Sequence, residues 1–84
     1  MDREEILEKV CEIVSDVLAV HLKDVTPQSR FVQDLGAESL QTAELFAIVE
    51  EEFEVELDEE ETLRTETVSS TVDLLMEALV RPAP

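Results

Sequence analysis

The chain has 84 residues, a length that predicts one small domain. Its 22 acidic side chains outnumber 6 basic ones and give a formal net charge of −16, which excludes binding through nucleic-acid phosphates and docking on anionic membranes. Hydrophobic residues make up 44% of the sequence, too many and too periodic for a disordered chain, so we expect an acidic folded domain with basic protein partners.

The first predicted element is an amphipathic helix over residues 3–19. Apolar side chains recur at helical spacing and form one stripe, which comprises Ile6, Leu7, Val10, Cys11, Ile13, Val14, Val17 and Leu18. Asp2 is the predicted N-cap, because a carboxylate there can accept a hydrogen bond from a backbone N–H of the first turn. Cys11 lies within the stripe, so we expect a small core residue rather than a reactive thiol.

Two features of this N-terminal region indicate the cellular setting. Cys11 is the only cysteine, so no internal disulfide or Cys-x-x-Cys site can form, which fits a reducing, cytoplasmic setting. The first residues are acidic, and no uninterrupted apolar run follows them. We therefore expect no signal peptide, no transit peptide and no membrane span.

A long loop over residues 20–38 follows, because the helical periodicity stops and the stretch contains Pro27 and the single glycine, Gly36. Loops of this length in small domains are usually functional or fastened to the core. The residues expected to fasten it are apolar: Val20, Leu22, Val25, Phe31 and Leu35. His21, the only histidine, is expected to face solvent, and the sequence offers it no catalytic set.

Three further helices complete the predicted fold, over residues 39–53, 58–63 and 68–80. Asp58 and Thr67 are the predicted N-caps of the last two. The tail 81–84 is expected to be frayed. The predicted fold class is therefore all-α, a small four-helix bundle with three longer helices, one short helix and a long first loop, within a single domain 1–84.

The segment around Ser39 is the one most open to chemistry. Gly36 precedes a helix start and permits backbone angles that other residues resist. Ser39 then falls at or next to the helix N-terminus, where unpaired backbone N–H groups and the helix dipole favour a phosphate on the hydroxyl. The position of Ser39 at the helix start is explained more simply if this residue is only the N-cap of the helix, because serine is a common N-cap residue.

The sequence around this serine resembles the prosthetic-group site of acyl carrier proteins. The residues that carry the resemblance are FVQDLGAESL at 31–40, QTAEL at 41–45 and EEEF at 50–53, and the segments match in order and length from about residue 5 to residue 79. The resemblance implies that Ser39 is esterified by 4′-phosphopantetheine, delivered from coenzyme A by a separate phosphopantetheinyl transferase. The arm ends in a thiol that holds acyl groups as thioesters, so the implied protein is a carrier in fatty acid synthesis and not an enzyme.

The implied site has two parts. Gly36 and Glu38 join Ser39 as residues that bind the cofactor, and the implied contacts with partner enzymes are Leu40, Glu44, Phe46, Glu50 and Glu51. Basic patches of acyl-transfer and fatty acid or polyketide synthesis enzymes would dock on these acids, which gives fast, weak encounters with a monomeric shuttle. Of the two apolar contacts Leu40 is favoured, because Phe46 can equally turn inward. Without the resemblance, the acidic residues are interpreted as a solvated face.

Four residues depart from the family pattern and keep other functions open. Glu38 replaces the usual Asp before the serine, where the family's acid helps to hold the transferase's divalent ion, so modification could be slower. Gln41 replaces an acid that is common in the family after the Ser-Leu pair. Thr65 replaces an aliphatic residue that often lies near the family's acyl pocket, and Ala47 replaces a larger side chain, so both would change the shape of that pocket. Two alternatives follow: a dedicated carrier for polyketide or specialised lipid synthesis, and an unmodified acidic carrier-like interaction protein.

The acidic run at residues 50–61 raises the question of a metal site, because nine of its twelve residues are Asp or Glu. The run contains no glycine, so an EF-hand loop is absent, and no dedicated metal site is predicted. Loose binding of divalent cations, which would relieve repulsion between the carboxylates, remains open.

Overall fold

Four α-helices form the protein in a computed structural model that describes residues 2–80. Helix α1 spans Arg3–Leu18, α2 spans Ser39–Phe53, α3 spans Glu59–Arg64 and α4 spans Val68–Val80. The long loop between α1 and α2 contains a 3-10 turn, Leu22–Asp24. The predicted all-α class, with three longer helices, one short helix and a long first loop, is confirmed. The tail 81–84, which we expected to be frayed, lies outside the described residues.

Local capping sets the helix boundaries. Asp2, Asp58 and Thr67 each accept a hydrogen bond from a backbone N–H of the first helical turn, at 2.9, 2.8 and 3.0 Å respectively. The three predicted N-caps are therefore confirmed. At the end of α1, Ala19 adopts the left-handed conformation (φ 54°) and its N–H donates to the Ser15 carbonyl. The helix thus ends one residue before the predicted boundary.

The core lies where α1 packs against both α2 and α4. Its most deeply buried aliphatic side chains come from the inward faces of these helices: Ile6, Val10, Val14, Leu45, Val49, Val68, Val72 and Leu75. Burial of their apolar surface stabilises the fold by about 25 cal/mol per Å² removed from water. The short α3 contributes no buried residue. None of the helices within residues 2–80 combines the length and the apolar character needed to cross a membrane.

Cys11 lies at the edge of this core and is half-buried. Burial raises the pKa of its thiol, and the nearby charges of Glu12 and Glu8 raise it further. Because the thiolate is the nucleophile, a raised pKa makes the thiol slow to react at neutral pH.

Backbone hydrogen bonds fasten the first loop to the start of α4. The Phe31 N–H donates to the Glu66 carbonyl at 2.9 Å, and the Val68 N–H donates to the Ser29 carbonyl at 3.1 Å. The Ser69 N–H also donates to the Pro27 carbonyl, at 2.8 Å, so three hydrogen bonds hold the loop just before it turns toward α2. This attachment brings residues 31–38 beside both α2 and α3.

Four of the five predicted apolar anchors of the loop pack against the core: Val20, Val25, Phe31 and Leu35. Leu22 is the exception, because its side chain is 51% exposed, and the prediction is wrong at this position. It lies in the 3-10 turn, which contributes no buried residue. His21 precedes this turn and is exposed, as expected.

Charge on the surface is poorly balanced. Two ion pairs form within residues 2–80: Arg3 Nη1 lies 2.6 Å from Asp73 Oδ1, and Arg30 Nη2 lies 3.3 Å from Asp34 Oδ1. Both pairs are exposed, and exposed pairs contribute little to stability. Most of the 22 acidic side chains therefore repel one another without compensation.

Salt is expected to raise the thermal midpoint of unfolding by several degrees. Repulsion between exposed carboxylates acts over about 30 Å at 0.01 M ionic strength and over about 3 Å at 1 M. The measurement is thermal denaturation followed by circular dichroism across a sodium chloride series, with potassium chloride as the control for ion-specific effects. A midpoint that stays constant across the series would show that repulsion does not limit stability.

Candidate functional site

Ser39 is the first residue of α2, and its side chain is exposed. Glu38 holds the N-cap position, with extended backbone angles of φ −91° and ψ 162°. The interpretation of Ser39 as a plain N-cap is therefore wrong, because Ser39 already belongs to the helix. Its hydroxyl forms no side-chain hydrogen bond within residues 2–80, which leaves the oxygen free to react.

The first turn of α2 presents unpaired donors beside this hydroxyl. The Thr42 N–H is the first to reach a helical acceptor, the Glu38 carbonyl at 3.0 Å. The N–H groups of Ser39 and Leu40 have no backbone acceptor in the described part of the chain. The Glu38 N–H donates to Gln41 Oε1 at 3.0 Å, so this departure from the family pattern helps to close the helix start. Free donors and the helix dipole favour an anion at the Ser39 oxygen.

Gly36 ends the turn that leads into α2. Its φ of 71° lies in the left-handed region, which side chains with a Cβ resist. The Gly36 N–H donates to the Val32 carbonyl at 3.1 Å, and the Ala37 N–H donates to the Phe31 carbonyl at 2.8 Å. A Cβ at Gly36 would meet no atom within 4 Å, so the backbone conformation alone calls for glycine here.

Gly36→Ala is expected to lower the free energy of unfolding by about 1–2 kcal/mol, the cost of a left-handed conformation for an L-residue. Gly36→Asn is the matched variant, because asparagine tolerates this conformation better than alanine does. Urea denaturation measures both, and the asparagine variant should lose less stability. Equal losses would point to the added side chain rather than to the backbone as the cause.

Asp34 and Arg30 hold the turn in front of Gly36. Asp34 Oδ2 accepts a hydrogen bond from the Arg30 backbone N–H at 2.8 Å, and the guanidinium of Arg30 donates to both carboxylate oxygens at 3.3 Å. The side-chain hydrogen bonds, followed by the backbone one, lower the pKa of Asp34 below its usual range. The carboxylate is therefore ionised at neutral pH and continues to accept these bonds.

A groove of about 950 Å³ lies beside Ser39. Residues of the first loop, α2, α3 and the segments on either side of α3 line it, and Glu38 and Ser39 are both among them. Its three buried lining residues are Phe31, Ala37 and Phe46. The groove therefore combines an apolar floor with a nucleophilic hydroxyl on its lining.

The side chain of Phe46 is buried, whereas an apolar contact with a partner would require it to be exposed. The side chain is 5% exposed and packs edge to face against Phe31, with ring centroids 6.2 Å apart and planes at 89°. The interpretation of Phe46 as a partner contact is corrected, because its ring faces inward. Leu40, by contrast, is 72% exposed next to Ser39 and is available to a partner.

The acidic residues named from the sequence divide into two groups. Glu44 and Glu51 are exposed on α2, as a docking role requires. Glu50 is half-buried, and its Oε2 accepts a hydrogen bond from the Leu57 N–H at 3.1 Å. One oxygen of Glu50 therefore holds the segment between α2 and α3 in place.

Leu63 is a residue of this surface that the sequence analysis missed. Its side chain is 78% exposed on α3 and lines the groove. A leucine in a short helix of acidic and polar residues was the signal that could have drawn attention to it. Val32, 59% exposed, lines the same groove from the loop.

Comparisons with known proteins agree with one another. A protein-family model described as "Phosphopantetheine attachment site" matches residues 8–75. The chain is 46% identical over 77 residues to the acyl carrier protein of Rubrobacter xylanophilus, covering 92% of this chain and 95% of that protein. It is 44% identical over 75 residues to the acyl carrier protein of Thermosynechococcus vestitus, covering 89% and 93%. A solved structure of the acyl carrier protein from Enterococcus faecalis matches with a TM-score of 0.77 at 35% identity, covering 93% of this chain and 99% of that one.

Proposed function

The chain belongs to the acyl carrier protein family, and we propose that Ser39 is the residue to which its 4′-phosphopantetheine arm is attached. The observation that carries the proposal is an exposed hydroxyl that caps no helix and lies on the lining of a groove. Ser39 also lies within residues 8–75, the range that the family model matches, and the motif at 31–40 around it resembles the family's prosthetic-group site. When bound, the arm supplies a terminal thiol that holds acyl groups as thioesters.

The residues around Ser39 fit the phosphate of such an arm. The free N–H groups of Ser39 and Leu40 and the dipole of α2 favour negative charge at this point. Gly36 sets the turn that presents the hydroxyl. The exposed Glu38 carboxylate lies next to the hydroxyl in the sequence, where a transferase can use it to hold its divalent ion.

The family consists of carriers rather than catalysts, and we infer the same role here. The protein would act as a cytoplasmic monomer that presents acyl groups to enzymes of fatty acid synthesis. The exposed Leu40 would contact an apolar patch on each partner enzyme. The exposed Glu44 and Glu51 would pair with Lys and Arg side chains around that patch. Electrostatic steering supports fast encounters without tight binding, which suits a protein that serves several enzymes in turn.

A carrier for polyketide or specialised lipid synthesis is the second candidate. It is favoured by hydroxyl groups on the groove lining, where Thr42, Thr62 and Thr65 all contribute. Ala47 adds a small side chain to the same lining. Each of these threonine hydroxyls donates its proton to a backbone carbonyl, so its oxygen would accept a hydrogen bond from a hydroxyl group on the acyl chain.

Intact-mass spectrometry tests the proposed function. The protein is incubated with coenzyme A, magnesium and a broad-specificity phosphopantetheinyl transferase, and a gain of one phosphopantetheine is expected. A thiol reagent provides the second readout, because the arm adds a freely reactive thiol to a chain whose Cys11 is slow to react. Failure with several transferases would favour an unmodified interaction protein. A Glu38→Asp variant would then show whether the additional methylene of Glu38 is the cause.

A further inference from the structure

The backbone of Glu38 is held at both its N–H and its carbonyl group. The N–H donates to Gln41 Oε1 at 3.0 Å. The carbonyl accepts hydrogen bonds from the Thr42 N–H at 3.0 Å and from the Thr42 hydroxyl at 3.2 Å. Glu38 and Gln41 are arranged as a capping box across the first turn of α2. These contacts fix the extended backbone of Glu38 against the start of the helix.

The two contacts of Glu38 differ in how easily they can be replaced. Its carbonyl keeps the Thr42 N–H as a donor whenever α2 is formed, even without the Thr42 hydroxyl. Its N–H, in contrast, has no acceptor other than Gln41 Oε1 in the described part of the chain. The Gln41 side chain is half-buried, so it is already partly ordered where it accepts this bond. Loss of the Gln41 side chain would therefore release the backbone directly in front of Ser39.

The orientation of Ser39 depends on this backbone. Within residues 2–80 its hydroxyl forms no side-chain hydrogen bond, and its N–H has no backbone acceptor. The Ala37 N–H donates to the Phe31 carbonyl at 2.8 Å, which anchors the chain again before Glu38. Between Ala37 and the first helical hydrogen bond, the Gln41 side chain is thus what holds the Glu38 N–H and the direction of the chain into Ser39.

We propose that Gln41 is a positioning residue for attachment of the arm, because it sets the direction in which the Glu38 carboxylate and the Ser39 hydroxyl leave the helix start. The inference rests on the proposed attachment at Ser39. In that step the Ser39 oxygen forms a bond to the phosphorus that carries the pantetheine, and the P–O bond to the second phosphate of coenzyme A breaks. The nucleotide part leaves with the electron pair of that bond, and the hydroxyl proton is released to solvent.

Geometry explains why this positioning matters for the rate. The Glu38 carboxylate, through the divalent ion of the transferase, and the Ser39 oxygen must reach the same phosphate at the same time. Groups that are held in the reacting arrangement before the step need no further ordering during it. A helix start that is loosened at Glu38 should therefore bind the transferase as before and react more slowly once it is bound.

The test compares the wild-type chain with three variants. Gln41→Ala removes the acceptor of the Glu38 N–H, and Gln41→Glu restores an acceptor of the same reach. Gln28→Ala is the matched control, because Gln28 is an exposed glutamine of the first loop that does not line the groove beside Ser39.

Three quantities are measured for each variant. The first is the single-turnover rate of loading from coenzyme A, with the transferase in excess and intact mass as the readout. The second is the transferase concentration that gives half of the maximal rate. The third is the rate at which the Glu38 N–H exchanges with solvent in the free protein, followed by nuclear magnetic resonance, which reports on the hydrogen bond itself.

The single-turnover rate of Gln41→Ala should fall about threefold to tenfold, the range that corresponds to the net contribution of one hydrogen bond. The half-saturating transferase concentration should not change. The Glu38 N–H should exchange faster by a similar factor, while the amides of the core helices should exchange as in the wild type. Gln41→Glu should restore both the loading rate and the slow exchange, and Gln28→Ala should behave as the wild type does.

Three results would overturn the proposal. They are a wild-type loading rate in Gln41→Ala despite faster exchange of the Glu38 N–H, a change in the half-saturating concentration alone, and a loss that Gln41→Glu does not restore. The second of these would make Gln41 a contact with the transferase instead.

If Gln41→Ala weakens the fold, Gln41→Met repeats the comparison, because methionine favours the helix and offers only a weakly accepting sulfur. A wild-type chain that takes no arm contradicts the attachment at Ser39 itself. Loading that is independent of the side chain at position 41 contradicts only the role of Gln41.

Discussion

Replacing Ser39 with alanine is expected to abolish attachment of the phosphopantetheine arm and to leave the fold intact. The ester cannot form without the hydroxyl oxygen. Alanine suits the position, because Ser39 is helical, exposed and makes no side-chain hydrogen bond within residues 2–80. Intact mass should therefore show no gain for Ser39→Ala under conditions that load the wild-type chain fully.

Ser70→Ala is the matched control for this variant. Ser70 is another exposed serine in the first turn of a helix, and its hydroxyl lies 2.8 Å from Thr67 Oγ1. It does not line the groove beside Ser39, so its loss should leave loading at the wild-type rate. Circular dichroism should give the same helical content for both variants. An arm found on Ser39→Ala, or missing from Ser70→Ala, would contradict the assignment.

Leu75→Ala is expected to lower the free energy of unfolding by about 2–5 kcal/mol, the range for removing a fully buried leucine side chain. Leu75 is 0% exposed, within the buried face of α4. A chain of this length buries a smaller share of its surface than a larger domain does, so a loss of this size removes much of its stability. Urea denaturation followed by circular dichroism measures the change.

Leu63→Ala is the control, because it makes the same chemical change at a side chain that is 78% exposed. Its free energy of unfolding should stay within about 0.5 kcal/mol of the wild type. The comparison separates burial from residue type. Equal losses in the two variants would mean that α4 does not pack on the core as the structure places it.

Helix positions and caps were predictable because they depend on residues close together in the chain. The apolar stripe of α1 follows the helical period. The side chains of Asp2, Asp58 and Thr67 each accept a hydrogen bond from a backbone N–H two or three residues later in the sequence. Such interactions need no information about distant segments. The same reasoning placed Ser39 at or beside the start of α2.

The orientation of individual side chains at the site was less predictable. The sequence did not decide whether the Phe46 side chain on α2 contacts a partner enzyme or packs in the core. Its ring turns inward because Phe31, brought from the first loop, provides an edge-to-face contact. Glu50 departs from the docking prediction for a similar reason, since one oxygen is occupied by the Leu57 N–H seven residues later.

The sequence by itself determined the helical class, the acidic character, the family and the candidate serine. Hydrophobic periodicity, charge and the motif at 31–40 depend only on residue types and on residues close together in the sequence. Only the tertiary structure decided which side chains line the groove at Ser39. Val32 and Leu63 belong to segments about thirty residues apart, and both line the groove because the first loop and α3 lie beside α2. Burial depends on which segment covers a given face, and that is a property of the assembled chain.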